Sequence, residues 1–459
     1  MALNSSTQLL TINERLPPEI MSKIFILSTT VKTHFEQDIS TSSTLTLIYV
    51  CRLWRNIANS TPALWTSLRI YIPSGHRTNQ SIQDIQQWIS RSGQLPLSIQ
   101  VHHNRSLPIT LSDPLVDDLI NLINSYSHRW ESLEITLVPE LLSRFRDSSG
   151  GPSILKTLIL TPAYAFEPQQ HPFNIGASLP SPTYVSLSST YVWPLGIYWD
   201  GVTRFTGRHM GCSRALEILR LAPQLQELIL VELREESPYD FLFSGPVLHS
   251  RLETLHVYLS LEVPYQYLSM DLSYQLMDRI TLPSLKHFNY SGRYPPIDHM
   301  FNFLDRSGRS LETFSLRDAD IDGDDHIIYI LYAMPHLETL TLGTRYITDK
   351  LLNKLAATAV LSTYMTSQII PGPFTLGPFL PKLQSLNCIG RPIFSWSSLP
   401  IVFGSRATDE SGASDRRPLR SFTVVQDVDD SDYSDASIVV ELERLREEGY
   451  VIDRVLGRV

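Results

Sequence analysis

The chain has 459 residues, a formal net charge of −9, 42% hydrophobic residues and only 19% charged ones. That length exceeds one compact core and predicts a small module joined to a large domain or a repeat array, and the composition is that of a folded chain rather than a disordered one. The acidic balance argues against a sequence-independent grip on nucleic acid, which needs basic patches to displace counterions. Only Cys51, Cys212 and Cys388 are present, far apart. This disfavours a disulfide framework and suits a reducing compartment, so a cytoplasmic or nuclear location is expected. The first fifteen residues lack a basic-then-apolar signal layout and no apolar run reaches spanning length, so no membrane association is expected either.

In chain order, the first informative stretch runs from Glu14 to Leu68. Pro17 and Pro18 suit the first turn of a helix, where their missing N–H groups are not needed, and Glu19 sits well against the positive end of the dipole. Behind them Ile20, Ile24 and Leu27 share a face by three-to-four spacing, and Met21 and Phe25 widen the apolar stripe. A second helix, from Thr44 to Ala58, puts Leu47, Val50, Cys51, Trp54 and Ala58 on one face and turns Arg52 and Arg55 away. Some fifty-five residues with two broad apolar helices make a marginal core, so the unit is expected to dock on something.

The order Leu16-Pro17-Pro18-Glu19-Ile20, Ile24-Phe25, Val50-Cys51-Arg52-Leu53-Trp54-Arg55-Asn56-Ile57-Ala58 and Leu64-Trp65 resembles the F-box, with a long polar insert from Lys32 to Ser43 between its halves. The plainer alternative is a helical hairpin that caps the next domain. The resemblance implies a helical module, residues 1–70, that binds the Skp-type adaptor of cullin–RING ubiquitin ligases. Adaptor contact then falls on Leu16, Pro17, Ile20, Ile24, Phe25, Val50, Cys51 and Trp54; Pro17 is carried over from the resemblance, whereas the shared faces support the apolar residues independently.

Residues 71–129 read as an α/β connector. Ser81 to Ser92 predicts a helix with Ile82, Ile85 and Ile89 inward, Gly93 stops it, and Leu95 to Val101 alternates like a strand. Asp113-Pro114 caps a second helix carrying Leu115, Leu119, Leu122 and Ile123. Trp88-Ile89-Ser90-Arg91-Ser92-Gly93-Gln94-Leu95-Pro96-Leu97-Ser98-Ile99 and His128-Arg129-Trp130-Glu131-Ser132-Leu133-Glu134-Ile135 resemble F-box proteins of mushroom-forming fungi. His102-His103 is a metal-ligand fragment at most, because neighbours on a strand point to opposite faces and no third ligand stands at zinc spacing.

From Trp130 to the last residue one pattern returns: apolar, two others, apolar, one other, apolar. Clear copies include Leu155-Leu158-Leu160, Leu225-Leu228-Leu230, Leu285-Phe288-Tyr290, Leu311-Phe314-Leu316, Leu337-Leu340-Leu342 and Leu419-Phe422-Val424; Val202-Phe205-Gly207 is a weak one. Leu225 and Leu252 stand 27 residues apart, and Leu285, Leu311 and Leu337 succeed each other at 26, inside the leucine-rich-repeat range. The expected fold is therefore α/β, the helical module followed by an irregular leucine-rich-repeat solenoid at 130–459, with parallel strands on the concave side. Arg214 to Leu221, Asp298 to Asp305 and Asp325 to Ala333 would be its outer helices. A flexible loop is expected near 404–418, an acidic stretch at Asp427 to Asp435, and a closing amphipathic helix from Ala436 to Glu448 that caps the last repeat.

Within the array, Asp318-Ala319-Asp320-Ile321-Asp322-Gly323 matches the first half of a calcium loop, but the twelfth position is Tyr329 where a bidentate glutamate belongs, and capping of the helix near Asp325 explains the acids. Cys212 follows His209 and precedes a helix, a setting that lowers a thiol pKa, yet no third orienting group can be assigned, so a structural cysteine is expected. No phosphate-cradling loop or nucleophile elbow is present, so neither catalysis nor a cofactor or metal is expected. Three function classes follow: a substrate receptor of a ubiquitin ligase, in which other subunits supply the chemistry; a non-degradative interaction scaffold; and, remotely, a hidden hydrolase. A protein target is expected on the concave stripe Ile159, Ile229, His256, Asn289, Ser315, Thr341, Asn387 and Thr423, concentrated at His256, Tyr258, His287 and Asn289, where aromatic and hydrogen-bonding groups gather.

Overall fold

The computed structural model describes residues 16–29, 39–72, 81–103, 113–148, 150–162, 173–176, 179–188, 194–234, 245–259, 273–321, 324–344, 348–358, 379–390, 393–403, 417–426 and 436–456. They form two compact units, Met1–Gly201 and Val202–Val459. Each is mixed α/β.

Among the described residues, the first unit begins with three short helices, α1 (Pro18–Thr29), α2 (Ile39–Val50) and α3 (Arg52–Asn59). The Pro17 carbonyl accepts the N–H groups of Ile20 and Met21, so Pro18 takes the first helical position, where its lack of a donor is harmless. The single helix expected from Thr44 to Ala58 is two. Cys51 adopts extended backbone (φ −159°) and its Sγ accepts the Trp54 N–H at 3.4 Å, an N-cap that ends α2 and begins α3. Five residues of the supposed insert, Ile39 to Ser43, are helical: α2 already starts at Ile39, while 30–38 lies outside the described residues.

A 3₁₀ turn, Pro62–Trp65, closes the module. Trp65 is fully buried; its Nε1 donates to the Ala58 carbonyl at 2.8 Å, Trp88 meets it edge-on at 4.7 Å, and the Arg91 guanidinium lies 4.5 Å above its ring. Strand β1 (Ser67–Ile72) follows at once, so a module boundary at residue 70 cuts through a strand. The stretch read as a connector supplies β2 (Leu97–His103), which pairs parallel with β1. Next come β3 (Trp130–Leu137), β4 (Thr157–Pro162) and β5 (Tyr184–Ser188), each parallel to the one before. Ile70, Val101, Ile135, Leu160 and Leu187 fall in register and are all buried. Parallel strands buried on one side by helices give this apolar alternation.

Those helices are α4 (Ile82–Arg91), opened by a Ser81–Asp84 capping box and ended by Gly93 in the left-handed region (φ 61°), and α5 (Pro114–Ser125), capped by Asp113. On α5 the buried face is Val116, Leu119, Ile120 and Ile123 rather than the face of Leu115, which stays exposed.

The second unit repeats the plan. Its long strands among the described residues are β6 (Arg204–Arg208), β7 (Glu227–Val231), β8 (Thr254–Tyr258), β9 (His287–Ser291), β10 (Thr313–Ala319), β11 (Thr339–Thr344), β12 (Ser385–Ile389), β13 (Ser421–Gln426) and β14 (Val451–Leu456), and from β7 onward each pairs parallel with the one before. One inward ladder runs through Phe288, Phe314, Leu340, Leu386 and Phe422, all buried, with Phe288 and Phe314 stacked at 5.7 Å. Helices α6 (Cys212–Leu221), α7 (Ile297–Ser307), α8 (Asp324–Leu331) and α9 (Asp349–Ala357) lie between strands in the chain, and α10 (Ala436–Glu447) buries Leu442 and Leu445. That last helix is not the end of the fold, as a closing cap would be: β14 comes after it and extends the sheet.

Polar side chains bridge successive turns of this architecture. Asp324, 2% exposed, accepts from the Thr348 N–H and hydroxyl and from the Leu351 N–H (3.2, 2.8 and 2.9 Å), so it neutralises the start of α9 as well as sitting at the start of its own helix. Asp349 repeats the move, accepting from the Ser395 N–H and the Ser398 hydroxyl. Asp324→Asn sets an amide N–H₂ against one of those donors inside the protein. It is expected to cost about 2–3 kcal/mol, the worth of a buried bond to a charged group, read as a lowered urea midpoint by circular dichroism; an unchanged midpoint refutes the capping role.

Candidate functional site

The apolar residues of the opening helices divide sharply between inside and outside. On α1, Met21 and Phe25 are 2% and 1% exposed, whereas Ile20, Ile24 and Leu27 are 41%, 44% and 68% exposed. One residue step turns a helix by about 100°, so the two sets cannot share a face. Phe25, expected at a partner surface, is therefore a core residue: its ring meets Trp54 at 4.8 Å. Trp54 and Cys51 are half-buried, Trp54 beneath Phe25 and Cys51 as the α3 cap; Leu16 is half-buried, while Pro17 and Val50 are open.

Three further apolar side chains, which the residue pattern did not single out for a partner, are open to solvent: Leu45, Tyr49 and Leu53, at 38%, 75% and 40%. Among the described residues, seven of the large apolar side chains left exposed lie between Ile20 and Leu53. So dense a concentration in so short a span is what an interaction surface looks like. The module beneath is held by its own contacts. The Thr44 hydroxyl donates to the Leu64 carbonyl, and the Thr61 hydroxyl bonds Ser22 and Ile57.

The second candidate lies on the open face of the second unit's strands. Ile229, His256, Asn289, Ser315, Thr341, Asn387 and Thr423 are one in-register row, as the spacing requires. They are half-buried to buried rather than freely exposed. His256, Tyr258, His287 and Asn289 come together. Asn289 Nδ2 donates to His256 Nδ1 at 2.8 Å, the Tyr258 hydroxyl reaches the same nitrogen at 3.2 Å, and the Tyr258 and His256 rings stack at 5.9 Å, 13° from parallel. Glu227 Oε1 stands 3.9 Å from His256 Nε2. Burial holds His256 below the usual histidine range, with nearby His287 adding to the effect and Glu227 opposing it. Nδ1 as acceptor leaves the ring hydrogen on Nε2 and describes a neutral ring.

The other sequence candidates fall to structural roles. His103 is buried and His102 half-buried, on opposite faces of β2. Asp318, in the left-handed region (φ 58°), accepts from the Ser291 hydroxyl at 2.5 Å, and Asp320 lies 3.7 Å from Arg293; residues 322–323 of the acidic motif lie outside the described residues. Among the described residues no group of three or more His, Cys, Asp or Glu side chains could hold a metal ion, and no helix is long and apolar enough to cross a membrane. Cys212 is 1% exposed, closed to a substrate, and His209 faces Glu232 at 2.8 Å. Burial, and Asp324 nearby, push the Cys388 thiol far above its ordinary range, so it is inert. The segments 404–416 and 427–435 lie outside the described residues.

No curated protein matches the chain. Residues 13–71 match the F-box-like family model, the span that holds α1, α2, α3 and the exposed apolar set; the chain carries an F-box-like domain there.

Proposed function

We propose that this chain is the substrate-recognition subunit of an SCF-type cullin–RING ubiquitin ligase. Its F-box-like domain holds a Skp-type adaptor and, through it, a cullin. The serial parallel strands are an irregular leucine-rich-repeat solenoid, of the kind found in F-box proteins of mushroom-forming fungi, and its open face holds a protein target at His256, Tyr258, His287 and Asn289. The chain itself is not catalytic. It supplies proximity, and other subunits supply the chemistry. A cytoplasmic or nuclear setting fits a chain with only three cysteines, far apart in sequence.

One observation carries this reading: the family-matched helices bury Met21 and Phe25 yet leave Ile20, Ile24, Leu27 and Val50 open. A solitary hairpin that served only as a cap would turn that face inward. Affinity purification of the full chain from a eukaryotic cell extract, with the co-purifying proteins identified by mass spectrometry, is expected to recover a Skp-type adaptor together with a cullin. Recovery of neither overturns the proposal; recovery of the adaptor without a cullin leaves the scaffold reading in its place.

A further inference from the structure

We propose that His256, Asn289 and Tyr258 form a proton-operated switch on the open face of the second unit's strands, in which protonation of His256 reverses two hydrogen bonds and turns the Asn289 amide over. The switch is a property of the face itself and stands apart from what the face binds. In the neutral ring, Nδ1 carries a lone pair that accepts from Asn289 Nδ2 at 2.8 Å and from the Tyr258 hydroxyl at 3.2 Å. An amide nitrogen has no lone pair to offer. Once Nδ1 bears a proton, the bond to Asn289 can be kept only by rotating the amide so that Oδ1 replaces Nδ2. The Tyr258 hydroxyl must likewise change from donor to acceptor.

The neighbours set the threshold. From β7, Glu227 faces Nε2 at 3.9 Å and favours the imidazolium; from β9, His287 opposes it; Tyr258, on the same strand, meets the ring through its hydroxyl. With the side chain only 17% exposed, burial dominates and the ring resists the proton below the ordinary value of about 6.5. The sign follows. The unfolded chain takes up the proton first as pH falls, so the contribution of this cluster to stability is complete above about 6.5 and is lost as pH drops through the folded value. The exposed surface changes with it: Asn289 exchanges the polar atom it directs away from the ring, and the Tyr258 hydroxyl turns its hydrogen away from the ring.

The test uses the full chain labelled with ¹⁵N at histidine and asparagine, followed by NMR from pH 8 to pH 4.5. At pH 8, His256 is expected as the tautomer with hydrogen on Nε2. The Asn289 side-chain amide is expected to shift with the His256 midpoint, below about 6.5, and to stop titrating in His256→Gln. Asn289→Asp replaces the amide with a group that only accepts, so the His256 midpoint is expected to rise by about one unit or more. A hydrogen on Nδ1 at pH 8, an Asn289 amide that stays still while His256 titrates, or an unmoved midpoint in Asn289→Asp each overturns the switch.

Discussion

Arg417→Met is expected to cost the second unit about 3–5 kcal/mol, since each buried acceptor stripped of its donor loses ~1–3 kcal/mol and water recovers part of the sum. Arg417 is only 7% exposed, yet its guanidinium donates to the carbonyls of Leu355, Thr358, Phe379 and Leu380 and to the Thr358 hydroxyl. Leu355 and Thr358 belong to the end of α9, where unpaired carbonyls and the helix dipole both favour a cation. Phe379 and Leu380 lead into β12. One planar fork thus joins a helix end, the approach to one strand and the approach to the next. Burial lowers the guanidinium pKa to about 10, so the group remains charged at neutral pH.

Methionine fills similar volume but donates nothing, which leaves several carbonyls facing each other in a dry site. Arg417→Lys keeps the charge on a single ammonium that cannot span the five acceptors, so it is expected to recover less than half of the loss. Thermal unfolding followed by circular dichroism reads both variants. With ~2–4 °C per kcal/mol for a unit of this size, the methionine variant is expected to melt about 10 °C lower. Equal melting of Arg417→Met and the parent shows that the five bonds are dispensable. Arg129 makes a smaller version of the same device in the first unit, donating to the Leu95 carbonyl and the Ser92 hydroxyl beside the end of α4.

The strands were legible in the residues because a strand that buries one face writes its apolar pairs two apart. Leu228 and Leu230, Phe314 and Leu316, and Leu340 and Leu342 all point inward, as that spacing demands. β5 escaped because Tyr184-Val185-Ser186-Leu187 carries only a short apolar pair, and β14 escaped because Asp453 and Arg454 interrupt it. Both are strands by virtue of the neighbour they pair with. The bridging side chains were invisible for another reason: Arg129 reaches back 34 residues and Arg417 as far as 62, and no local pattern records such a partner. At the opening module, periodicity found the helices but not which way they face. The broad stripe on α1 contained two surfaces, and only packing against Trp54 separates Phe25 from Ile24. The break at Cys51 was hidden because apolar residues continue on both sides of the cap.

The receptor reading makes its strongest demand at that division of α1. Ile20→Ala with Ile24→Ala is expected to weaken binding of a Skp-type adaptor by about a hundredfold or more. Burying an isoleucine side chain is worth ~1.5–3 kcal/mol, interface energy gathers in a few anchors, and each ~1.4 kcal/mol is a factor of ten. Both residues are already 41% and 44% exposed in the free chain, so the fold itself should hardly register their loss. Phe25→Ala is the contrasting variant. At 1% exposure and in contact with Trp54, its removal opens a cavity in a module of three short helices and is expected to cost about 3–5 kcal/mol of stability. It would weaken adaptor binding only by unfolding the domain. Titration calorimetry with purified adaptor, paired with circular dichroism of each variant, separates the two effects. The double isoleucine variant should stay folded and bind poorly, whereas Phe25→Ala should lose helix signal and affinity together. A folded Ile20→Ala, Ile24→Ala chain that binds the adaptor as tightly as the parent would place the interface elsewhere, on the exposed Tyr49 and Leu53 of α2 and α3 or off the module altogether.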